Sequence, residues 1–483
     1  MTGLSPEAAQ RLKGMGKIEF IALMALLMAL NALAIDIMLP GLQQIGASLG
    51  VENENHRQYV ISAYLIGFAF AQLLYGPVSD RFGRRSPMFF GLAIYVVSSL
   101  AAILVPSFAA LLALRFIQGI GSAAMRVITV SIVRDVFGGR AMAEVMSLIM
   151  MVFMVVPVMA PGTGQIVMLF GEWHLIFVFM AVMAAVIGAW MYLRLPETLH
   201  ADDVRPFTVR SVLGGFRIVL TDRVALCYTL ASTFIFGALF GFINSAQQIY
   251  VGIYELGVWF PLAFAGVATF MALSSFVNSR LVGRFGMRRL SHGALLGFLG
   301  INTLWLVLTL LWTPHVPFPI FIVLFALAMF QFGWIGSNFN SLAMEPLGHV
   351  AGTASSVLGF MGTAGGTIIG AVIGQSFNGT ALPLVTGFFS VSIVGLVFVL
   401  LAERESSSSR TTSRSETKKP DGPAAGLFSA PCSVRLLPYS PASTGEAHGR
   451  RTGFLQQPHV ARAHRPLDAG GGGRALPHTM ADL

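Results

Sequence analysis

Twelve apolar runs, each long enough to cross a lipid bilayer, follow one another along this sequence of 483 residues. A helix rises about 1.5 Å per residue, so about 20 apolar residues cross a hydrocarbon core of about 30 Å. Backbone polar groups find no partner in lipid, so runs of this length are expected to be helical. The predicted spans are 20–42, 58–78, 87–105, 110–133, 142–170, 173–193, 224–249, 257–279, 290–312, 317–343, 350–374 and 381–401. The sequence therefore predicts an all-α membrane protein.

The composition agrees with a lipid environment. Hydrophobic residues make up 55% of the chain and charged residues 11%, whereas soluble domains carry about 25% charged residues. The first run is a full span and lacks the small-residue cleavage site of a signal peptide. Neither the two cysteines, Cys227 and Cys432, nor the histidines have a spacing typical of disulfide frameworks or metal sites. We therefore expect no metal.

The formal net charge of +9 reflects an excess of basic residues in alternate polar breaks. Cytoplasmic loops of membrane proteins concentrate such residues, so the asymmetry predicts that both termini are cytoplasmic. The charge is thus a topology signal, and we expect no nucleic-acid partner. The breaks on the inside contain Arg11, Lys13, Lys17, Arg81, Arg84, Arg85, Arg134, Arg140, Arg194, Arg205, Arg210, Arg217, Arg223, Arg280, Arg284, Arg288 and Arg289, and those outside contain only Arg57.

The longest internal polar break divides the spans into two sets of six. We predict an N-terminal six-helix half at 1–193, a cytoplasmic linker at 194–223 and a C-terminal six-helix half at 224–401. The remainder, 402–483, contains SSSSRTTSRS and GGGG and lacks apolar periodicity. Such a composition cannot build a core, so this tail is predicted to be disordered.

A short motif recurs in the two halves. The break after the second span reads GPVSDRFGRR at 76–85, and the break after the eighth reads SRLVGRFGMR at 279–288. Arg81-Phe82-Gly83 falls on Arg284-Phe285-Gly286 without gaps. Many transporters are built from repeated halves with a substrate site between them. The sequence therefore predicts two six-helix pseudo-repeats.

The first of these motifs resembles the cytoplasmic loop signature of the major facilitator superfamily (MFS). The resemblance implies a conformational latch, in which Asp80 pairs with a basic group such as Arg134. The second copy has Gly283 in place of Asp80, so a latch there is expected to lack its acid. The predicted latch comprises Gly76, Asp80, Arg81, Gly83, Arg84, Arg85 and Arg134.

Further segments resemble proton-coupled members of that superfamily. LALRFIQGIGSAA at 112–124 is similar to a fourth-helix signature, and PVMAPGTGQ at 157–165 to the fifth-helix motif of antiporters, although Ala160 and Gln165 stand where glycine is usual. Segments 34–42, 131–137, 280–290 and 343–360 resemble Bcr/CflA-type drug exporters. The resemblance implies a drug:proton antiporter of the bacterial inner membrane, a monomer that uses the proton gradient and no cofactor.

Asp36 is the only acidic residue deep in a predicted span. A charge in the bilayer is costly, so it usually faces a cavity or a partner. Counting about 1.5 Å per residue places Asp36 and Arg115 at a similar depth. An arginine stabilises a nearby carboxylate, and separating the two lets the acid take a proton. We therefore predict proton coupling by Asp36 and Arg115; the alternative is that Asp36 only hydrogen-bonds near Pro40 and that Arg115 is structural.

Other polar residues in the spans are candidates for a substrate cavity. Arg126 follows Arg115 by about three helical turns and shares its face, although it could also reach to the inner interface. For each of the others, hydrogen bonding between helices is an equally good interpretation. The candidates are Asn31, Tyr64, Gln118, Arg126, Asn244, Gln247, Gln331, Trp334 and Asn338.

These features favour a transporter over an enzyme. No P-loop is present, so ATP is not the expected energy source. We predict proton-coupled efflux of small drug-like molecules by alternating access, with the drug, protons and the lipid bilayer as partners. The alternative is proton-coupled transport of a metabolite or nutrient on the same fold. A membrane sensor or intramembrane enzyme would need a signalling domain or paired catalytic groups, and the sequence offers neither.

Overall fold

The computed structural model describes residues 12, 14–200, 209–312 and 315–416. Twelve helices in this part of the chain are long and apolar enough to cross a membrane, and each overlaps one predicted span. The described residues contain no strand, so the all-α prediction is confirmed. The helices are α1 (Lys17–Asp36), α2 (Tyr59–Phe82), α3 (Arg85–Ala102), α4 (Phe108–Val136), α5 (Gly139–Met168), α6 (His174–Arg194), α7 (Arg223–Gln247), α8 (Phe260–Phe285), α9 (Met287–Leu311), α10 (Phe318–Met344), α11 (Ala351–Gln375) and α12 (Leu382–Glu416).

Shorter helices lie between these. A 3-10 turn, Leu39–Gly41, and a short helix, Leu42–Ser48, continue from α1, and a π-helical turn, Gln248–Ile253, prolongs α7. The predicted linker contains a helix, Val209–Thr221, and its residues 201–208 lie outside the described part. We refer to α1–α6 as the N-half and to α7–α12 as the C-half.

The two ends of the bundle differ in charge. Successive spans run in opposite directions, so the turns after α2, α4, α6 and α8 share one end with the start of α1. This end carries Arg84, Arg194 and Arg284 and is called the basic end; the other is called the far end. The described arginines of the predicted inside set lie at the basic end, whereas Arg11, Lys13 and Arg205 lie outside the described residues.

Glycines end the helices in the repeated motif. Gly83 after α2 has φ +85°, and Gly286 after α8 has φ +79°. These conformations suit glycine because it lacks the Cβ that would clash with the backbone. The repeat noted in the sequence is therefore one turn, built twice.

Other glycines let helices approach closely within each half. A Cβ at Gly119 of α4 would collide with the carbonyl oxygen of Tyr64 in α2, and one at Gly67 with that of Phe116. In the C-half, a Cβ at Gly370 of α11 would collide with Phe240 of α7, and one at Gly366 would lie 3.1 Å from the Phe240 ring. The hydrophobic effect does not drive helices together within lipid. Small residues at the interface let them approach closely, so that packing contacts hold them instead.

The last helix is longer than predicted. It continues to Glu416 instead of ending near 401, since residues 402–416 contain neither glycine nor proline to stop it. The first proline beyond the helix is Pro420. The rest of the predicted disordered tail, 417–483, lies outside the described residues.

Candidate functional site

A cavity of about 540 Å³ lies between the two halves. Its wall is formed by α1, α2, α4 and α5 of the N-half and by α7, α8, α10 and α11 of the C-half. Most of the wall is apolar, and its aromatic residues are Phe68, Phe153, Phe236, Phe240, Phe242, Phe264 and Phe332. Its polar residues are Asn31, Asp36, Arg126, Thr229, Ser232, Ser275, Ser337, Asn340 and Thr363. An apolar cavity with a few polar groups is typical of a small-molecule site.

Asp36 lies in this wall at the last residue of α1. Its side chain is 5% exposed, and its Oδ1 has no hydrogen-bond partner among the described residues. The α-helix ends here because the chain enters the 3-10 turn that contains Pro40. The predicted acid therefore lies in the cavity wall, and its Oδ1 is a buried acceptor without a partner among the described residues.

Arg115 does not pair with Asp36 in this structure. Its guanidinium donates to the carbonyl oxygens of Ala34 (2.8 Å) and Val60 (3.1 Å) and to Oε1 of Gln118 (2.6 Å). It also lies over the ring of Tyr64, 4.5 Å from the centroid. The predicted ion pair is absent because these acceptors already hold the guanidinium. Arg115 thus joins α1, α2 and α4 inside the N-half.

Tyr64 and Gln118 belong to the same buried network and lie outside the cavity wall. The Tyr64 hydroxyl lies 2.9 Å from Oδ1 of Asn31 and 2.6 Å from Oγ of Ser122. The Gln118 amide donates to Oγ of Ser99 at 2.7 Å. Of the N-half candidates on this network, Asn31 alone reaches the wall, and Tyr64 and Gln118 connect helices.

The candidates of α10 also lie outside the wall. Nε1 of Trp334 donates to the carbonyl of Ser274 at 3.0 Å, and the Asn338 amide donates to Asn278 at 2.8 Å. The Gln331 side chain lies next to Gly297 of α9. These three residues occupy the face of α10 that packs on α8 and α9.

The opposite face of α10 meets the cavity instead. It carries Gly333, Gly336, Ser337 and Asn340, spaced three or four residues apart. That spacing of small and polar residues is a signal from which this face could have been predicted.

The candidates of α7 also differ from expectation. The Asn244 amide donates to the carbonyl of Phe240 at 2.9 Å, and Ser62 of α2 donates to Asn244 at 3.4 Å. Gln247, the last residue of α7, is half-buried, and neither residue lines the cavity. The polar residues of α7 that do line it, Thr229 and Ser232, lie nearer the basic end.

Arg126 lies in the cavity wall and not at the interface. Its guanidinium lies 5.9 Å from the ring centroid of Phe68, and its side chain is exposed to the cavity. The described residues offer it no hydrogen bond and no ion pair within 4.0 Å. Among the described lining residues, Asp36 and Arg126 are the only charged ones.

Neutral amides close the far end between the halves. Gln58 donates to Gln248, and Gln248 donates to Oδ1 of Asn55 at 2.6 Å. Gln375 donates to the carbonyl of Asn55 at 2.6 Å, and the Asn55 amide donates to the carbonyl of Gln375 at 3.0 Å. We call these four residues the amide gate. The cavity wall extends from below this gate toward the basic end, where Asn340 lies four residues from the end of α10.

The predicted latch forms with a different partner. Arg84 is buried and pairs with Asp80 (2.5 Å) and Asp135 (2.7 Å), whereas Arg134 is exposed. The expected Asp80–Arg134 pair is therefore wrong in this structure. Neighbouring residues on a helix point about 100° apart, so only one of Arg134 and Asp135 can face α2. Burial acts to lower the pKa of Arg84, but the hydrogen bonds with Asp135 and Asp80 outweigh it and raise the pKa above its ordinary value.

The other latch residues surround this pair. Glu197, after α6, accepts hydrogen bonds from the backbone N–H groups of Arg84 (2.8 Å) and Arg85 (3.0 Å). Gly76 faces α11, where a Cβ would lie 3.7 Å from Oγ of Ser356. Arg81 is exposed. The end of α2, the start of α3, the end of α4 and the segment after α6 therefore meet at Arg84.

The C-half has an equivalent with its own acids. Arg288 pairs with Glu345 (3.3 Å), which follows α10, and lies 3.7 Å from Glu403 in α12. The expectation that this latch lacks an acid is wrong, because two other helices supply the carboxylates that Gly283 cannot.

Residues 21–370 match the sequence model of the Major Facilitator Superfamily. The chain is 31% identical to an uncharacterized MFS-type transporter of Bacillus subtilis over 398 residues, which cover 81% of this chain and 97% of the relative. It is also 31% identical to a bicyclomycin resistance protein homolog of Haemophilus influenzae over 367 residues, 76% of this chain and 91% of the relative. The resemblance to Bcr/CflA-type transporters is confirmed.

The fold is similar to that of solved transporters. The xylose transporter XylE of Escherichia coli, in a partially occluded inward-open conformation, aligns with a TM-score of 0.63 and 12% identity. The alignment covers 80% of this chain and 97% of that one. At this identity the likeness concerns the arrangement of helices alone.

Proposed function

The chain belongs to the Major Facilitator Superfamily and is a transporter rather than an enzyme, and from that premise we propose that it exports small drug-like molecules from a bacterial cytoplasm in exchange for protons. The basic end then faces the cytoplasm, as the concentration of arginines there favours. Both termini of the helical bundle lie on that side, and the membrane is the bacterial inner membrane. The transporter works as a monomer, with the proton gradient as its energy source and without a cofactor.

One observation carries the proton-coupling proposal. Asp36 is the only acid in the described cavity wall, and its Oδ1 has no partner. A carboxyl group that meets the cavity can exchange protons with whichever side the cavity opens to. In this proposal Asp36 alone carries the proton, and the same side chain faces the substrate.

Arg115 acts on this acid through the backbone in the proposed cycle. It holds the carbonyl of Ala34, two residues before Asp36, and so fixes the end of α1 against α2 and α4. The N-half then moves as one body, and Asp36 moves with it. A drug enters from the basic end, the amide gate opens, the drug leaves, and a proton bound to Asp36 accompanies the return.

The drug substrate is proposed from the relatives together with the cavity. One relative, from Haemophilus influenzae, is named a bicyclomycin resistance protein homolog, and that name points to a drug as the substrate of the relative. The cavity of about 540 Å³ with aromatic walls suits a molecule of drug size. A transporter of polar sugars would instead be expected to line its site with many hydrogen-bonding groups.

The experiment uses inside-out vesicles from a drug-sensitive bacterium that expresses this chain. Respiration acidifies the vesicle interior, a pH-sensitive dye reports the gradient, and amphenicols, bicyclomycin-like compounds and lipophilic cations are added in turn. We expect at least one drug to release protons, and we expect Asp36→Asn to reduce that release to the background of vesicles without the protein. Glu172→Gln removes an exposed acid outside the cavity and serves as the matched control.

Two outcomes would contradict the proposal. Proton release that persists in Asp36→Asn would reject Asp36 as the proton carrier. Proton release that follows a metabolite or nutrient, and none of the drugs, would favour the alternative of a proton-coupled metabolite transporter.

A further inference from the structure

The two charged residues of the cavity wall have opposite signs and different heights. Asp36 lies 19 residues from the start of α1 and Arg126 lies 10 residues from the end of α4, and both of these helix ends are at the basic end. At about 1.5 Å per residue, Asp36 is about 28 Å and Arg126 about 15 Å above that end. With Asp36 ionised, the described wall has no net charge, but it has a cationic lower part.

Arg126 and Arg115 lie on the same helix, but their guanidinium groups have different contacts. Arg115 is fully buried and donates to three acceptors, whereas Arg126 lies over the face of Phe68 and has no hydrogen bond to the described residues. A guanidinium carries five N–H donors. Those of Arg126 are available to a molecule in the cavity, within an otherwise aromatic environment.

We infer that Arg126 is a specificity-determining residue, which favours uncharged molecules that carry a hydrogen-bond acceptor over lipophilic cations. This inference rests on the proposed function, because it takes the cavity to be the drug site. A carbonyl, nitro or sulfonyl oxygen accepts from Arg126 while the rest of the molecule packs on Phe236 and Phe332. A cation in the same place meets a like charge, and the electrostatic repulsion opposes its binding.

The sign of the proton coupling excludes anions as the preferred class. Protonation of Asp36 removes a negative charge from the wall, so it strengthens the binding of any anion. Proton and anion would then bind together, which leads to co-transport in one direction and not to exchange. An uncharged molecule whose hydroxyl or amide N–H donates to the Asp36 carboxylate behaves in the opposite way, because protonation of the carboxylate takes an acceptor away from it.

Equilibrium binding to the purified protein tests the inference without a proton gradient. The probes are chloramphenicol, which is uncharged and has several acceptor oxygens, and tetraphenylphosphonium, a lipophilic cation. We expect the wild type to prefer chloramphenicol. We expect Arg126→Gln to shift the ratio of the two dissociation constants by about tenfold toward the cation, the effect of one charge-assisted hydrogen bond worth about 1.4 kcal/mol.

Two further variants separate charge from geometry. Arg126→Lys keeps the positive charge but lacks the planar fork, so it should still disfavour the cation while binding chloramphenicol more weakly. Arg280→Gln removes a basic-end charge that lies over Phe276, outside the cavity, and should leave the ratio unchanged. Equal thermal stability of Arg126→Gln and wild type shows that the variant is folded.

The inference is overturned if Arg126→Gln leaves the ratio unchanged, if tetraphenylphosphonium binds the wild type at least as tightly as chloramphenicol, or if chloramphenicol does not bind. Its failure is distinguishable from failure of the proposed function. Drug-dependent proton release with an unchanged ratio rejects the role of Arg126 and retains drug export. A shifted ratio without any drug-dependent proton release retains the role of Arg126 in binding and rejects drug:proton exchange.

Discussion

At the scale of the residue, what surrounds a charge inside the membrane decides its role. Arg115 and Arg126 share a face of α4, as their spacing predicts, but they meet different surroundings. Arg115 faces two backbone carbonyls that its own helix cannot supply and the Gln118 amide one turn away. Arg126 faces the space between the halves. The sequence places both on one face of the fourth span, but it does not contain the positions of the carbonyls that distinguish them.

Removal of the Arg115 guanidinium should therefore lower stability more than removal of that of Arg126. Arg115→Gln removes the hydrogen bonds from a charged donor to the carbonyls of Ala34 and Val60, each worth about 1.5–3 kcal/mol. Arg126→Gln breaks no hydrogen bond within the described residues. The measurement is thermal unfolding of both variants in the same detergent, and we expect a clearly lower Tm for Arg115→Gln alone.

This comparison also tests the role given to Arg115 in the transport cycle. Equal Tm values for the two variants would contradict a role for Arg115 in joining α1, α2 and α4. A normal Tm for Arg115→Gln together with lost proton release would instead favour direct pairing with Asp36, as the sequence predicted.

At the scale of the element, helix positions followed from the sequence more closely than helix faces did. Length and hydropathy predicted the twelve spans, because a bilayer imposes the same requirement on every helix that crosses it. On α10, however, the large polar residues Trp334 and Asn338 turn toward α8, and the smaller Ser337 faces the cavity. Both faces contain polar residues, and the small residues of the cavity face were a weaker signal than the large polar residues of the packed face.

The helix ends at the basic end show the same limit. The loop signature predicted a latch that includes Asp80 and Arg84. The residue of α4 that joins it is the acid Asp135, and not the neighbouring base Arg134. The rotation of α4 about its axis makes that choice. A prediction of contacts therefore failed where a prediction of residue types succeeded.

The latch provides a prediction at this scale. Arg84→Gln leaves the carboxylates of Asp80 and Asp135 close together without their shared cation, which should cost about 3 kcal/mol, as for other buried ion pairs. Arg134→Gln removes an exposed charge one residue from Asp135 and should change stability by less than about 0.5 kcal/mol. Chemical unfolding of the purified variants measures both values, and a larger effect of Arg134→Gln would reject the assignment of Asp135 as the partner.

At the scale of the whole molecule, the two ends of the bundle are held by contacts of different chemistry. Within each half the basic end contains ion pairs, centred on Arg84 and on Arg288. Between the halves the far end contains the amide gate, which has no titratable group. A change in pH therefore has no group to act on at the gate itself, so the proposed proton coupling would have to act through Asp36. The repeated motif predicted two halves, but nothing in the sequence indicated which end is closed.

If the amide gate has to open in each transport cycle, a covalent bond across it should stop transport. The experiment introduces Gln58→Cys and Gln248→Cys into a chain in which Cys227 and Cys432 are replaced by alanine. We expect oxidation to abolish drug-dependent proton release and a reductant to restore it, since these side chains are hydrogen-bonded across the two halves. The matched control is the pair Asn278→Cys and Asn338→Cys, which are hydrogen-bonded within the C-half. Oxidation of that pair leaves the halves free to separate, so transport should continue, and inhibition by both pairs alike would show that cross-linking acts without regard to the gate.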